Sequence, residues 1–274
     1  ALEALGKAGS RARPEADSVC KALTSWFDPR WRVGPVAHLA AIKILANSPG
    51  KGEEPLLLAL EKGRSDVRKA AAAALAKQGM PMLEKLLARC GEKGEKARMM
   101  GKVPAVASAM GKPAVGPLIK RLTSRDGMVS GIAGEALRAI GSPAVDSLLD
   151  LAKSQDRATV HAALGVLRGI GPDAKAAVPL ALKLARSSNK ETRWRALAVL
   201  STAGGGSPEA VDMLLEALTD SDRLFRMNVA RVISLDTVPA EKALPALGAL
   251  VDDKDAATRS WAIAVWIASS SSGT

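Results

Sequence analysis

Residue types that carry catalysis are sparse in this sequence. Its two histidines, His38 and His161, lie far apart, and its two cysteines are Cys20 and Cys90. Neither histidine has a cysteine or carboxylate at the short spacing that zinc ligands show. No nucleophile motif, phosphate loop or dinucleotide fingerprint occurs either. The sequence therefore predicts no catalytic residues, no metal site and no cofactor, and we expect a protein that is not an enzyme.

The chemical signals that remain are those of binding. Trp194 is followed directly by Arg195, and tryptophan and arginine are enriched at the energetic centres of protein interfaces. A guanidinium also binds a carboxylate or a phosphate through two parallel hydrogen bonds. A scaffold or adaptor with a protein partner is the first interpretation of this pair. The predicted partner-binding residues are His161, Trp194, Arg195, Met227, Asn228, Arg231 and Trp261.

The charge distribution favours a second interpretation. The net charge is +11, and residues 1–137 carry 23 lysines and arginines against 13 acidic residues, whereas residues 138–274 are nearly balanced. A basic block attracts nucleic acid, an anionic membrane or an acidic protein surface. A solvated, lysine-rich face is the simpler explanation of the same charges. The candidate anion-binding residues are Lys69, Lys77, Arg98 and Lys102.

Aromatic residues separate the two interpretations. None lies between Lys51 and Arg125, so the basic segment lacks the platforms on which single-stranded bases stack. Only backbone contacts to a duplex remain for a nucleic-acid partner. We therefore rank nucleic-acid binding as the alternative to a protein-binding scaffold.

These residues must be positioned by a repeated element. Segments end on glycine every 30 to 33 residues, at Gly79, Gly111, Gly141, Gly171 and Gly204, and most carry Asp or Asn near the middle. A period of this size indicates a solenoid or a similar array. The predicted repeats span 51–79, 80–111, 112–141, 142–171, 172–204, 205–236 and 237–269, with a divergent repeat at 10–50 and the tail of a truncated repeat at 1–9.

Each repeat predicts a pair of helices. Apolar residues recur at helical spacing, prolines stand where a helix begins, and glycine supplies a left-handed cap where the second helix ends. Period-two alternation is absent, so strands lack support. A single hairpin cannot bury its apolar face, and stacking buries a continuous core. We predict an all-α fold, a right-handed α-solenoid of about eight hairpins that forms one continuous domain over 1–274.

Three phrases carry a family resemblance: KPAVGPLIKRL (112–122), AVPLALKLA (177–185) and SPEAVDMLLEAL (207–218). Each is followed by Asp or Asn and an Ala-rich helix. The pattern resembles HEAT repeats, in particular the short type seen in phycobilisome lyase subunits. The resemblance implies the solenoid fold and a wide range of roles, which includes scaffolds, adaptors, lyase subunits and DNA glycosylases. A bilin-lyase-like subunit is therefore a second alternative, and a DNA-glycosylase-like protein is the extreme form of the nucleic-acid alternative.

The resemblance also implies that the second helix of each repeat lines a concave groove. Aligning the second helices places the candidate binding residues opposite the core stripe. The position directly after the first core residue of the second helix holds an arginine in four repeats. In the last three of these repeats, an Asp or Asn lies four residues before the arginine. We expect these arginines to pair with it or with a neighbouring repeat rather than with a ligand. They are Arg68, Arg193, Arg226 and Arg259.

Compartment and completeness are indicated only weakly. No apolar run approaches the ~18 residues that a transmembrane helix needs, and Cys20 and Cys90 lie about two repeats apart, too far for a disulfide. A cytoplasmic location is favoured. The chain opens without methionine on a segment that resembles the end of a second helix, so we expect an excerpt of a longer solenoid. The oligomeric state is left open.

Overall fold

The computed structural model describes residues 16–25, 34–47, 52–90, 100–204 and 207–233, and scattered residues between Lys242 and Ile267. Every regular element in these residues is helical, and no strand occurs among them. The chain divides into two compact units, Ala1–Pro143 (unit 1) and Ala144–Thr274 (unit 2).

Unit 1 builds two layers from helices that alternate along the chain. The described helices are α1 (Ala16–Ser25), α2 (Pro35–Ala46), α3 (Glu53–Lys62), α4 (Ser65–Ala76), α5 (Met80–Arg89), α6 (Lys102–Met110), α7 (Val115–Leu122) and α8 (Gly127–Ile140). The second helix of each hairpin packs on the next second helix, in the order α2, α4, α6 and α8, while α3 packs on α4 and α7 on α8. Leu56, Leu75 and Leu83 are fully buried in this unit.

Unit 2 follows the same plan. The described helices are α9 (Val145–Leu151), α10 (Arg157–Ile170), α11 (Val178–Leu184), α12 (Lys190–Ala203), α13 (Pro208–Ala217) and α14 (Arg223–Val232). Its second helices pack in the order α10, α12 and α14, and each packs on the first helix of its own hairpin. Leu164, Leu197 and Val229 of the second helices are buried.

Short 3-10 turns lead into three of the first helices. They span Lys112–Ala114, Ser142–Ala144 and Gly171–Ala177, before α7, α9 and α11. Each contains a proline near its start. A proline is tolerated there because its fixed φ suits a helical turn and its missing N–H has no partner to lose. The prolines therefore mark the start of the first helices, as the sequence pattern predicts.

The Asp and Asn residues in the middle of four repeats are helix N-caps. The side chain of Asp126 accepts the N–H of Met128 and of Val129. The side chains of Asp156, Asn189 and Asp222 each accept the N–H of the residue three positions later, over 2.9 to 3.1 Å. Such a cap satisfies an otherwise unpaired N–H and stabilises a helix by about 1 kcal/mol. The period of these residues is therefore the period at which second helices begin.

The closing glycines are of two kinds. Gly79, Gly111, Gly141 and Gly171 have φ between 67° and 76°, as predicted. The prediction is wrong for Gly204, whose φ is −66°. A Cβ atom on Gly204 would lie 2.3 Å from the carbonyl oxygen of Leu200. Close packing, not a positive φ, therefore requires glycine at this position.

Hydroxyl groups join neighbouring second helices near their C-terminal ends. In unit 1, Ser108 Oγ of α6 donates to the carbonyl oxygen of Ala139 in α8 over 2.8 Å. In unit 2, Thr202 Oγ1 of α12 donates to the carbonyl oxygen of Arg168 in α10 over 3.1 Å. The last carbonyls of a helix lack partners within it, and these hydroxyls supply one. Each bond therefore links two adjacent repeats.

The predicted all-α solenoid fold is confirmed in the described residues. The segments 1–15, 91–99 and most of 234–274 lie outside them, and so does the predicted repeat tail at 1–9. One continuous domain over 1–274 and the boundaries of the repeats stay predictions. Cys20 and Cys90 are not joined by a disulfide, and burial raises the pKa of Cys90.

Candidate binding surface

The surface of interest is a side-chain cluster on α10 and α12 of unit 2. Trp194, near the start of α12, is half-buried, and its indole Nε1–H donates to Glu191 Oε2 over 2.8 Å. Arg195 Nε donates to Glu191 Oε1 over 2.7 Å. The Arg195 guanidinium carbon lies 5.0 Å from the centroid of the Trp194 ring, within the range of a cation–π interaction. One carboxylate therefore fixes both side chains.

The electrostatics of Glu191 suit this role. The hydrogen bond from Trp194, followed by that from Arg195, lowers the pKa of Glu191 below its ordinary value. The carboxylate is therefore ionised at neutral pH, and it balances the charge of Arg195. The half-buried indole, held in one orientation, is therefore the group of this face that a partner could contact.

His161 joins the same cluster from α10. Its Nε2 lies 2.8 Å from Thr192 Oγ1. The Thr192 hydroxyl donates to Asn189 Oδ1 over 3.1 Å, and that oxygen also accepts the backbone N–H of Thr192. Because the hydroxyl proton is engaged with Asn189, the ring nitrogen of His161 must donate to Thr192. The proton of the neutral ring therefore sits on Nε2, in a chain that runs from α10 to the N-cap of α12.

The pKa of His161 is lower than its ordinary value. Burial is the largest cause, because it disfavours the charged ring, and the positive charge of Arg195 acts in the same direction. Glu191 opposes both effects and is outweighed. His161 is therefore neutral at neutral pH. We define His161, Glu191, Thr192, Trp194 and Arg195 as the Trp194 cluster.

Three further predicted residues lie on α14, the helix that packs on α12. Met227 and Asn228 are half-buried and Arg231 is exposed. Within the described part of the chain, no hydrogen bond or ion pair connects them to the Trp194 cluster. Trp261, the last of the predicted set, lies outside the described residues. The structure thus brings His161, Trp194 and Arg195 together and places the α14 residues on the next helix of the same layer.

Glu191 is the member of the cluster that an alignment of groove positions misses. It lies two residues before the position of the arginine series, in the first turn of α12. A signal is present in the sequence, because Glu191 and Arg195 have the i, i+4 spacing of a helical ion pair. The aligned positions begin two residues after the first core residue, Thr192, so a carboxylate one residue before it falls outside the aligned set.

Two members of the arginine series pair with a neighbouring repeat, which is one of the two expected arrangements. Arg193 pairs with Asp220 and lies 3.9 Å above the ring of Phe225. Arg226 Nη2 lies 2.5 Å from Asp253 Oδ2. In both pairs the aspartate belongs to the following repeat. The series therefore joins one repeat to the next at these two positions.

The expected pairing of Arg226 with Asp222, four residues earlier, is wrong. The carboxylate of Asp222 caps α14 and pairs with Lys190 of α12. Arg226 donates instead to the carbonyl oxygen of Asp220, over 2.8 Å, besides its bonds to Asp253. Because the Asp222 carboxylate caps α14 and pairs with Lys190, it is not the ion-pair partner of Arg226.

The candidate anion-binding residues of unit 1 differ in their exposure to solvent. Lys69 and Lys77 are exposed, as expected for solvent-facing positions. Lys102 is only 4% exposed, and its Nζ lies 2.7 Å from Glu61 Oε2. The expectation of a solvent-facing Lys102 is therefore wrong: the apolar neighbours and Glu61 hold it within the packing of α6. Arg98 lies outside the described residues.

Metal ligation and membrane insertion find no support in the described part of the chain. No group of three or more His, Cys, Asp or Glu side chains there is arranged to hold a metal ion. No helix among the described residues is both long and apolar enough to cross a membrane.

Comparison with known families matches one part of the repeat array. A family model described as HEAT repeats matches residues 177–266, which include α12 and the greater part of the Trp194 cluster. Residues 177–266 are HEAT repeats. The arginines at 193 and 226 are therefore links between HEAT repeats. No match was found among curated proteins.

Several solved structures resemble this chain. A crystal structure of an engineered protein is 21% identical, with a TM-score of 0.42, and the match covers 100% of this chain and 84% of that one. A designed armadillo repeat protein is 16% identical, with a TM-score of 0.40 and coverage of 78% and 98%. Human deoxyhypusine hydroxylase in complex with glycerol is 18% identical, with a TM-score of 0.36 and coverage of 94% and 97%. All three TM-scores are too low to carry a conclusion about the role of this chain.

Proposed function

We propose that this protein is a non-catalytic scaffold that binds a protein partner through the second-helix face of unit 2, with Trp194 at the centre. The observation that carries the proposal is the Trp194 cluster. A half-buried indole is held by Glu191 and flanked by Arg195, and it is not buried in the core. A structural tryptophan would be expected among the buried side chains, where Leu197 and Leu200 of the same helix lie.

The fixed orientation of the Trp194 side chain in the free protein supports this role. A side chain that is already fixed loses little rotamer freedom when a partner covers it, and this loss is one of the costs of association. Both polar groups beside the indole, the Glu191 carboxylate and the Arg195 guanidinium, already have partners. Covering the cluster with an apolar side chain therefore leaves no new unpaired charge. Truncating such an anchor to alanine typically costs ~2 kcal/mol or more of binding free energy.

The partner surface that fits is a peptide segment with an exposed apolar or aromatic side chain. The neighbouring helix α14 offers Met227 and Asn228 as adaptable contacts and Arg231 as an exposed cation. An acidic residue beside the apolar anchor would complement Arg231. Solenoids present surfaces of this extended kind more often than deep pockets.

The nucleic-acid alternative has less support. Of its four predicted phosphate contacts, Lys69 and Lys77 are exposed, while Lys102 is bound to Glu61. Two contacts on a duplex imply a log–log salt slope of about −1.8, from roughly −0.9 per contact. Affinity of that origin is weak at physiological salt. The bilin-lyase-like alternative draws on the repeat type alone.

A selection experiment tests the protein-partner proposal. The full chain is immobilised and challenged, in parallel, with a displayed library of random 16-residue peptides and with a pool of random 20-base-pair DNA duplexes (both lengths are choices of design). We expect selected peptides that carry an aromatic or large apolar residue and that compete with one another. Enrichment of duplexes with steep salt dependence, and no competing peptide family, would contradict the proposal.

A further inference from the structure

Unit 1 contains a cavity that the scaffold role does not use. Its volume is about 970 Å³, and it lies between α4 and α6, beside the end of α3. Arg68 and Lys69 of α4 line it together with Lys102 of α6 and Glu61 of α3. A volume of this size lies in the range of small-molecule sites, ~300–1,000 Å³.

Arg68 differs from the equivalent arginines of unit 2. It follows the first core residue of α4, Val67, just as Arg193 follows Thr192 in α12. Arg193 and Arg226 each bind an aspartate of the following repeat. Arg68 is exposed, and it forms no ion pair in the described part of the chain. The same position of the repeat thus holds a structural arginine in unit 2 and an available one in unit 1.

The charge of the cavity is positive. Lys102 and Glu61 compensate each other, with Nζ and Oε2 at 2.7 Å. Arg68 and Lys69 are adjacent and exposed, so the wall of α4 contributes two positive charges that this pair does not balance. Ser65, the first residue of α4, also lines the cavity, and the positive end of a helix dipole adds to the field at that point.

The remaining walls are mainly apolar. Leu60, Ala72 and Ala105 face the cavity from three helices. A bare inorganic ion would leave these walls and most of the volume unfilled. An anion with an organic body would place its charge on Arg68 and Lys69 and its body against the leucine and the alanines.

From these features we infer that unit 1 binds a small organic phosphomonoester. A phosphomonoester carries close to two negative charges at neutral pH, since its second pKa is about 6. This charge matches the two cations of α4, and a guanidinium binds two phosphate oxygens in parallel. The ligand class differs from a nucleic-acid duplex, whose phosphodiesters carry one negative charge each. Unit 1 alone supplies these residues, so the site is independent of the Trp194 cluster.

The test is a titration of the full chain with phenyl phosphate, which joins a phosphomonoester to an apolar ring. Saturable binding is measured by calorimetry and by ligand-observed NMR, with phenol and inorganic phosphate as separate arms. We expect phenyl phosphate to bind at least about 10-fold more tightly than either fragment, since it uses both the cations and the apolar walls. Arg68→Ala and Lys69→Ala should each weaken binding about 10-fold, the typical worth of one charge-assisted contact.

Arg193→Ala supplies the matched control, because it removes an arginine at the same position of a repeat. It should leave phenyl phosphate binding within about 2-fold and lower the melting temperature, because Arg193 pairs with Asp220. Arg68→Ala, in contrast, should weaken phenyl phosphate binding and leave the melting temperature nearly unchanged. Arg68→Gln, which keeps a polar side chain on an aliphatic stem but removes the positive charge, serves if the alanine variant does not fold.

Several results would overturn the inference. They are non-saturable binding of phenyl phosphate, equal binding by wild type and both Arg68 variants, and equal affinity for phenyl phosphate and inorganic phosphate. Binding of a 12-base-pair duplex that depends on Arg68, with phenyl phosphate inert, would assign these cations to nucleic acid instead (the duplex length is a choice of design).

Discussion

The indole N–H of Trp194 donates to the carboxylate of Glu191, one turn earlier on α12, with Nε1 and Oε2 at 2.8 Å. The same carboxylate accepts from Arg195 through its other oxygen. A tryptophan on a solenoid surface is thereby held in one orientation by a single acidic residue. A partner that covers this face would therefore meet an indole that is already in place.

Removing Glu191 should release the indole. In Glu191→Ala we expect the Trp194 indole N–H to exchange with solvent faster than in wild type, because its hydrogen-bond acceptor is lost. The change in unfolding free energy should be small, ~0.2–1 kcal/mol, as for other exposed pairs. Hydrogen exchange of the indole resonances, with Trp194 assigned from Trp194→Phe, measures the effect. Glu135→Ala removes an acid that pairs with Arg138 and not with an aromatic, and it should leave the exchange rate unchanged.

Removing Arg226 should destabilise the stack. Arg226→Ala takes the guanidinium away from the carboxylate of Asp253, which is 5% exposed. Losing one partner of such a pair costs ~1–3 kcal/mol. Arg231→Ala, an exposed arginine on the same helix, should stay within about 0.5 kcal/mol of wild type. Chemical denaturation gives both values. Unchanged stability in Arg226→Ala, together with lost partner binding, would reverse the assignment of this arginine as a link between repeats.

Two glycines near the end of α10 should respond to alanine with opposite signs. Gly171 has φ of 72° and ψ of −136°, a region that residues with a Cβ adopt only under strain. Gly165 lies inside α10, and a Cβ atom added there would have nothing within 4 Å. Gly171→Ala should lower the unfolding free energy by ~1–3 kcal/mol, while Gly165→Ala should raise it by ~0.5–1 kcal/mol. Equal effects of the two substitutions would show that the closing glycine is not required by its backbone conformation.

His161 should make stability depend on pH. Its pKa is lower in the folded protein than the unfolded value of about 6.5, because burial and Arg195 disfavour the charged ring. The neutral ring's contribution is complete above the unfolded pKa and is lost as the pH falls below it, through the folded pKa. Relative to His161→Gln, wild type should therefore lose stability as the pH falls from above to below the unfolded pKa of about 6.5. Denaturation of both proteins at several pH values tests this, and parallel curves would contradict it.

Much of the fold follows from local chemistry that a single sequence displays. Asp126 and Asp156 cap helices, and Gly141 and Gly171 adopt positive φ, all through interactions within a few residues along the chain. Such features recur with the repeat, so their period predicts the hairpins. The same reasoning places His161, Trp194 and Arg195 on one layer, because the helical period fixes which side of a helix a residue occupies.

Features that the sequence does not predict depend on contacts between repeats. Lys102 is buried because its ammonium group donates to Glu61, 41 positions earlier. Gly204 packs against Leu200 and Ala210 instead of adopting positive φ. Arg226 selects Asp253 over Asp222 because the latter is used as an N-cap. Helical spacing alone does not identify these contacts, because at each position it also allows a local arrangement that the structure does not adopt.

The role of Trp194 is tested most directly by the affinity of one selected peptide for three forms of the full chain: wild type, Trp194→Ala and Leu215→Ala. Leu215 is a half-exposed apolar residue of α13, in the first-helix layer of the same unit. Calorimetry should show that Trp194→Ala weakens binding about 30-fold, which corresponds to ~2 kcal/mol. Leu215→Ala should change the affinity less than about 2-fold, since its layer lies outside the proposed surface. Equal affinities of wild type and Trp194→Ala would contradict a partner surface centred on this indole.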